Sequence, residues 1–473
     1  MDKISKTLEQ LKGEHVERIV KVLRQPTIFN DYPNIRKCAE IYVDYLKKAG
    51  MKEVSLIETD GSPLVYGEHY CGAAKTVLVY NFFDMLPKKD EDQVFESEVK
   101  DIEPFGRCVT GRSMGMKGSG VAFINAIEGC LKAEGKLPVN LKIIAEGEEM
   151  YGSPHLPWFI ENHPDKLEDV DALYVPSMRQ NSEGNVAAIQ LGGKGFVGYE
   201  LICHGAKWGR GPKEHDIHSS TKAIIDSPMW RLVEAINTFV GDSGNEILID
   251  GFFDDVRPVT AEEQKYLDIM AESFSGDALK KRMGADVFYK DAVGKNILRQ
   301  NLFEPTLNIE GMPYTSTESE LFNSTPVGVV AHRAVAKFQS RIVPDQTAEG
   351  MINKVRAHLD KRGYEDIEVK KLYGFGPART SIDEPIVQAV LKLYKDEGMA
   401  SPAIHPSAPA SSPTNAFNNS LGIPCMSGGL GHVGRGKEGN YLVLDEQENI
   451  AGLVKLERSF IQVLQNYAEL AGS

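Results

Sequence analysis

Apolar residues Leu8, Leu11, Val16, Ile19, Val20, Val22 and Leu23 recur near the spacing of a helix face, and 35–49 repeats the pattern. The chain is therefore predicted to open on two helices. The pattern then shifts to short runs of strand type at Glu53–Ile57, 76–80, 139–145 and 170–175, with helices predicted at 118–134 and 156–162 between them. Strand–helix alternation of this kind implies a doubly wound α/β sheet. The stretch VLVYNFFDMLP, residues 77–87, has the character of a buried strand that presents an acid, Asp84, just past its C-terminal end. Near residue 188 the texture changes. AAIQLGGKGFVGYELICHG alternates like an antiparallel strand. A helix is predicted over 227–240, followed by an irregular stretch, a strand in HRAVAKFQSRIVPD and a helix over Ala348–Lys361. A glycine-rich turn YGFGPART follows at 373–380, then helices at 386–397 and about 450–470. This layout is an α/β domain interrupted by an inserted α+β domain.

Composition narrows the function classes. The 473 residues, 42% apolar, suffice for about two or three domains with real cores. The formal charge of −14, from 53 basic and 67 acidic residues, argues against general binding to nucleic acid or acidic membranes. Six scattered cysteines (Cys38, Cys71, Cys108, Cys130, Cys203, Cys425) fit free thiols in a reducing compartment. The N-terminal stretch is charged and helical, without the apolar core of a signal peptide, and no run is long enough to span a bilayer. The expectation is a cytoplasmic protein.

Four segments carry candidate chemistry. AEGEEMYGS places Glu146, Glu148 and Glu149 just past a buried strand. Packed carboxylates need a cation, a shared proton or water, and one of an adjacent pair can bind a metal while the other moves a proton. The alternative is a solvated acidic helix start. TGRSMGMKGSG, 110–120, leads into a helix and offers backbone N–H groups to an anion or, through Ser113 and Lys117, a nucleophile and base. It lacks Walker spacing, and turn formation is its plainer role. EHDIHSS holds His215 and His218, either catalytic or structural. Arg341, in FQSRIVPDQ, is placed to clamp a carboxylate or to form a surface ion pair.

Together these segments resemble the co-catalytic zinc aminoacylase, carnosinase and dipeptidase family that includes succinyl-diaminopimelate desuccinylase. VLVYNFFDMLP looks like its strand ending in His-x-Asp, GRSMGMKG like its Gly-Arg…Asp-x-Lys-Gly loop, and EGEEMYGS like its Glu-Gly-Glu-Glu signature. GGKGFVGYELICHG, DIHSS, GFFDDVRP, RIVPDQ, PART and GGLGH follow in the family's order, and the long insert with GFFDDVRP is similar to the carnosinase branch. The resemblance implies a three-layer α/β/α catalytic-type domain formed by residues 1–190 and 380–473, with an inserted α+β lid and dimerisation domain at 191–379, and a homodimer through that lid.

It also implies roles. Glu148 matches the proton-moving residue and Glu149 one zinc ligand; Asp84 matches the acid that orients a ligand histidine. The other ligand positions fall on Phe82, Gly115, Ser177 and Gly436 or Lys437, none a usual zinc donor. The expectation is a degenerate site with no metal or other cofactor. Lys437 would supply replacement charge, with Lys117 and Arg112 the other candidates. Zinc or manganese would bind only at a displaced site built from Glu149, Asp84 and His432 or His405. His218 matches a histidine that reaches the reacting carbonyl. Arg341 and Asn308 match residues on the substrate's carboxylate side, and Arg112 joins them as a binding residue. The expected substrate is a small amino-acid-derived carboxylate, transformed by amide or imine hydrolysis, elimination or proton transfer with Glu148 as acid/base. The alternatives are a conventional metal-dependent dipeptidase or deacylase and a catalytically silent ligand-binding relative.

Overall fold

The computed structural model describes residues 2–87, 95–242, 245–312, 328–436 and 439–472. The chain divides into two compact units: Met1–Gly192 with Arg379–Pro406 and Ala416–Ser473, and Gly193–Ala378 with Ser407–Asn415. The second unit thus draws in a short piece, Ser407–Asn415, from the segment that the sequence assigns to the α/β domain.

The first unit is built on a six-stranded sheet in the order Glu53–Ile57, Leu64–His69, Asn140–Glu146, Thr76–Phe82, Ala172–Pro176, Cys425–Gly428. The last four run parallel; the first two are antiparallel additions, so the sheet is mixed rather than purely doubly wound. Val77, Leu78, Val79 and Tyr80 are all buried, because Thr76–Phe82 is central and covered on both faces. On one face lie the helices Lys3–Arg24, Ser119–Glu134 and Leu453–Ala471. On the other, Leu156, Phe159 and Phe417 pack against Tyr80, Ile144 and Leu173.

Local chemistry explains these elements. Asp2 caps the first helix by accepting from Ser5 N at 2.7 Å, and Asp31 caps Tyr32–Lys48 by accepting from Asn34 N. The first helix approaches Ser119–Glu134 closely at Gly129, where a Cβ would meet Leu8 Cδ2 at 2.2 Å. That face is not purely apolar. His15, Arg18, Asn125, Glu128 and Glu457 are buried together between three helices.

The second unit centres on a four-stranded antiparallel sheet, ordered Thr306–Gly311, Arg333–Ile342, Gly195–His204, Glu368–Phe375. The alternation of its sequence puts Val197, Tyr199, Leu201 and Cys203 on one face with Ala334, Ala336 and Phe338, under the helices Pro228–Asn237 and Ala348–Lys361. Tyr199 and Phe338, paired across the strands, stack at 5.4 Å. The stretch that reads as irregular contains three helices, Ala261–Glu272, Gly276–Met283 and Lys295–Phe303. The first is set by a capping box between Thr260 and Glu263.

Candidate active site

The parallel strands of the first unit deliver the acids to their C-terminal ends. Phe83 N donates to Glu146 O at 2.9 Å, holding the ends of Thr76–Phe82 and Asn140–Glu146 together. Asp84 is fully buried and accepts from Glu149 N at 3.1 Å and Met150 N at 2.8 Å, so it caps the short turn Glu149–Tyr151. Burial nonetheless pushes its pKa up to about 6 against the pull of those N–H groups, and the charge of Glu148 adds to the rise. Glu149 rises to about 7, through burial first and the charge of Asp84 second. Glu146, in the interior, rises to about 8 although Tyr80 and Ser153 both donate to its Oε1. The three carboxyls lie at the adjoining ends of two strands, and burial raises the pKa of each.

These shifts set a pH dependence. Each acid's pKa is higher folded than unfolded, so its contribution is fully present below the ordinary carboxyl range and is lost as pH rises through about 6 to 8. Glu146→Gln keeps a neutral acceptor for Tyr80 and Ser153. It is expected to match wild type in urea unfolding at about pH 5 and to exceed it by on the order of 2 kcal/mol at about pH 8. Equal stability of the two proteins at both pH values would show that Glu146 keeps an ordinary pKa.

Glu148 faces a different partner. Its Oε2 lies 2.6 Å from His155 Nδ1, at the start of the helix His155–Asn162. The Glu148 side chain is only 3% exposed and that of His155 24%. The other carboxylate oxygen lies against Gly61, where a Cβ would come within 2.3 Å of Oε1. Burial and the charge of Glu148 together push the Tyr32 phenol up. Neither His155 nor Tyr32 is signalled by the sequence, because their meeting with Glu148 depends on how separate segments pack.

The expected replacement cations are placed as follows. Lys117 is fully buried in the π-helical turn Met114–Gly118, donates to Gln25 O at 2.6 Å and lies 5.1 Å from the centre of the Phe95 ring. Burial lowers it to about 8, although the charge of Asp84 acts in the opposite direction. Arg112 lies over the same ring at 5.7 Å. Lys437 lies outside the described residues. Ser113 adopts a left-handed conformation, φ 65°, and its buried Oγ has no hydrogen-bond partner, so it does not form the nucleophile–base pair with Lys117.

At the remaining ligand positions, Phe82 ends its strand beside Glu146 and packs on the apolar face. Gly115 has open space: a Cβ there would meet only Val433 Cγ2, at 3.9 Å. Ser177 donates its N–H to Gly428 O and its hydroxyl to Val175 O. Gly436 ends the strand Val433–Gly436. His432 Nδ1 lies 3.0 Å from Gln180 O, and His405 sits in the strand Ala403–His405 with its pKa lowered by burial and by the charge of Arg179. Among the described residues, no three His, Cys, Asp or Glu side chains are grouped to hold a metal ion.

In the second unit, Arg341 donates to Ser411 Oγ at 2.8 Å and lies over the Phe196 ring at 5.4 Å. Ser411, in the short piece Ser407–Asn415, is a contact the sequence does not reveal. Thr306 pairs with Arg341 and Asn308 with Gln339, so Asn308 and Arg341 share a sheet face. His218 accepts a hydrogen bond from Ser220 N at its Nδ1, which places the proton of the neutral ring on Nε2. That nitrogen is a donor suited to a carbonyl oxygen. His215 is exposed, and the neighbouring Asp216 is engaged by His332 instead, at 2.7 Å.

A mixed sheet with adjacent glutamates at the ends of its parallel strands, in a chain interrupted by an inserted antiparallel domain, is the two-domain fold of the metallopeptidase type. The chain belongs to peptidase family M20/M25/M40, whose model matches residues 79–466. It is 28% identical to a Cys-Gly metallodipeptidase of Candida albicans over 379 residues, 75% of this chain and 73% of that one. It is 25% identical to the Beta-Ala-His dipeptidase of Rattus norvegicus over 320 residues, 65% of this chain and 61% of the other. The M20 family metallo-carboxypeptidase of Sulfolobus solfataricus shares the fold with a TM-score of 0.75 and 26% identity, over 97% of this chain and 99% of that one. No described helix is long and apolar enough to cross a membrane.

Proposed function

We propose that this M20 chain binds a small amino-acid-derived carboxylate and transforms it by amide or imine hydrolysis, elimination or proton transfer, with Glu148 moving the proton and without a two-zinc centre. The donor set at the strand ends carries this reading. A catalytic zinc takes about three protein ligands. Phe82 and Gly115 offer no side-chain donor, Ser177 spends its hydroxyl on Val175 O, and Glu149 remains. These residues do not fit a pair of zinc ions.

The chain's own groups supply the rest. His155 Nδ1 lies 2.6 Å from Glu148 Oε2, a contact that orients the ring when Nδ1 carries a proton. Nε2 of His155 makes no hydrogen bond among the described residues and is the nitrogen available to exchange a proton with solvent or ligand. In the second unit, His218 Nε2–H and Arg341 are donors of the kind that a carbonyl oxygen and a carboxylate take.

A second reading is a metal-dependent dipeptidase with a displaced site, which the names of the relatives favour: one is a Cys-Gly metallodipeptidase, another a Beta-Ala-His dipeptidase. It would rest on Glu149, Asp84 and His432 or His405. Elemental analysis of protein purified without chelator, with zinc and manganese titrations against a dipeptide panel, separates the two. The expected result is metal well below one ion per chain and no metal stimulation. Two zinc ions per chain, or cleavage that appears with added metal, would establish the second reading.

A further inference from the structure

We propose that Arg179 forms a binding site for a small monocarboxylate at the C-terminal edge of the parallel strands Ala172–Pro176 and Cys425–Gly428. The proposal builds on the reading of an amino-acid-like ligand but does not require turnover. Arg179 sits just past the end of the first strand, and Ser177 N donates to Gly428 O at 3.0 Å, so the two strand ends are tied where the arginine emerges. Crevices at such strand ends are where open α/β sheets take ligands.

The guanidinium has too few partners for its position. Nη2 donates to Ser427 Oγ, and the buried Nε has no hydrogen-bond partner. No carboxylate among the described residues pairs with it. Two other arginines of this unit do have carboxylate partners: Arg18 is bonded to Glu128 and Glu14, and Arg458, whose Nη1 is also buried without a partner, to Asp2 at 2.6 Å. The groups around Arg179 are uncharged or already engaged. Tyr174 donates to Gly428 O at 2.8 Å and Tyr394 to Gly429 O at 3.5 Å. His405, close enough to feel the guanidinium's charge, is held toward its neutral form. Burial lowers the pKa of Arg179 too, yet a guanidinium stays protonated in a protein. A fixed cation that is largely withdrawn from water and lacks an acid is completed by an external oxyanion, and the planar fork of donors matches the two oxygens of a carboxylate.

The charge of that ligand follows from its surroundings. Arg179 brings one positive charge, and across the sheet the order Asn140–Glu146, Thr76–Phe82, Ala172–Pro176, Cys425–Gly428 sets the acids Glu149 and Asp84 just past the ends of the first two strands and Arg179 just past the third. One guanidinium balances one negative charge, so a dianion such as phosphate would be only half compensated here. A monocarboxylate, on a ligand whose other end is neutral or cationic, suits an edge that runs from acidic to basic.

Calorimetric titration of the full chain at constant ionic strength tests this, with propionate, propionamide and inorganic phosphate as probes. Wild type is expected to bind propionate saturably, to ignore propionamide and to take phosphate more weakly. Arg179→Met is expected to weaken propionate at least tenfold, while Arg282→Met, at an exposed arginine outside any candidate site, leaves it unchanged. Arg179→Lys keeps the charge without the fork, is expected to bind several-fold more weakly, and reports if the methionine variant fails to fold. A wild type that binds no propionate, an Arg179 variant with unaltered affinity, or a preference for phosphate would each overturn the proposal. Because none of the probes contains a scissile bond, a failure to process dipeptides would leave this result standing.

Discussion

Glu457→Leu is expected to destabilise the folded chain by about 3–5 kcal/mol, the cost typical of removing one partner from a buried ion pair. Glu457 is fully buried, accepts from Asn125 Nδ2 at 3.0 Å and lies 2.9 Å from His15 Nδ1. His15 is equally buried; burial alone would lower its pKa, but Glu457 and Glu128 overcome that and raise it to about 9. Without Glu457, the imidazolium keeps only Glu128, at 3.8 Å, and competes there with Arg18. Asn125 loses an acceptor as well. The double variant His15→Leu/Glu457→Leu removes both charges and is expected to recover most of the loss, which chemical denaturation in a double-mutant cycle reads directly. The pH dependence has a definite sign. The folded pKa of His15 lies above its ordinary value of 6.5, so its contribution is complete below about pH 6.5 and is lost as pH rises through about 9. A cycle with no coupling at about pH 6 would mean that the pair does not hold the helices together.

Glu148→Gln is expected to reduce turnover by roughly 10²–10⁴-fold, the usual scale of a positioned acid/base, while leaving stability almost unchanged. Glutamine still offers an oxygen to His155 Nδ1–H, so packing against Gly61 and the helix start survives. Only the ability to carry the proton is removed. His155→Asn tests the same pair from the other side: it should lower kcat more than it raises KM, because the ring serves the proton and not the binding of the carboxylate. A panel of dipeptides and N-acyl amino acids supplies the assay. Unaltered turnover in the glutamine variant would take Glu148 out of the mechanism.

Much of this was legible before any coordinates. The run VLVY marks the central strand because a strand buried on both faces has no polar alternation to hide it. EGEEMYGS marks the strand end because three acids there have no apolar purpose. Phe82, Gly115 and Ser177 are assigned to ligand positions by the resemblance alone, through local motifs. The pairings that cross the chain are not. Glu148 meets His155, Arg341 meets Ser411, and Arg179 has no acid beside it among the described residues, all through packing between segments that no local spacing records. His15 and Arg18 occupy a helix face whose apolar neighbours suggest an ordinary core, and their acids lie 442 and 110 residues away. The helices between 261 and 303 escape notice because they depend on caps such as Thr260 and Ser275 more than on a strong apolar stripe.

The brief excursion Ser407–Asn415 bears on how the insert can be handled as a module. Asn415 Nδ2 donates to the carbonyls of Lys194 and Gly376, both at 3.1 Å, near the two ends of the long inserted segment, and Ser411 meets Arg341. A gene fragment cut at the obvious borders, 193 and 378, would leave these ties behind on the excised remainder. The insert is therefore not a cassette that could be transplanted by a single splice: any graft that keeps the arginine's company must carry nine residues from far downstream along with it.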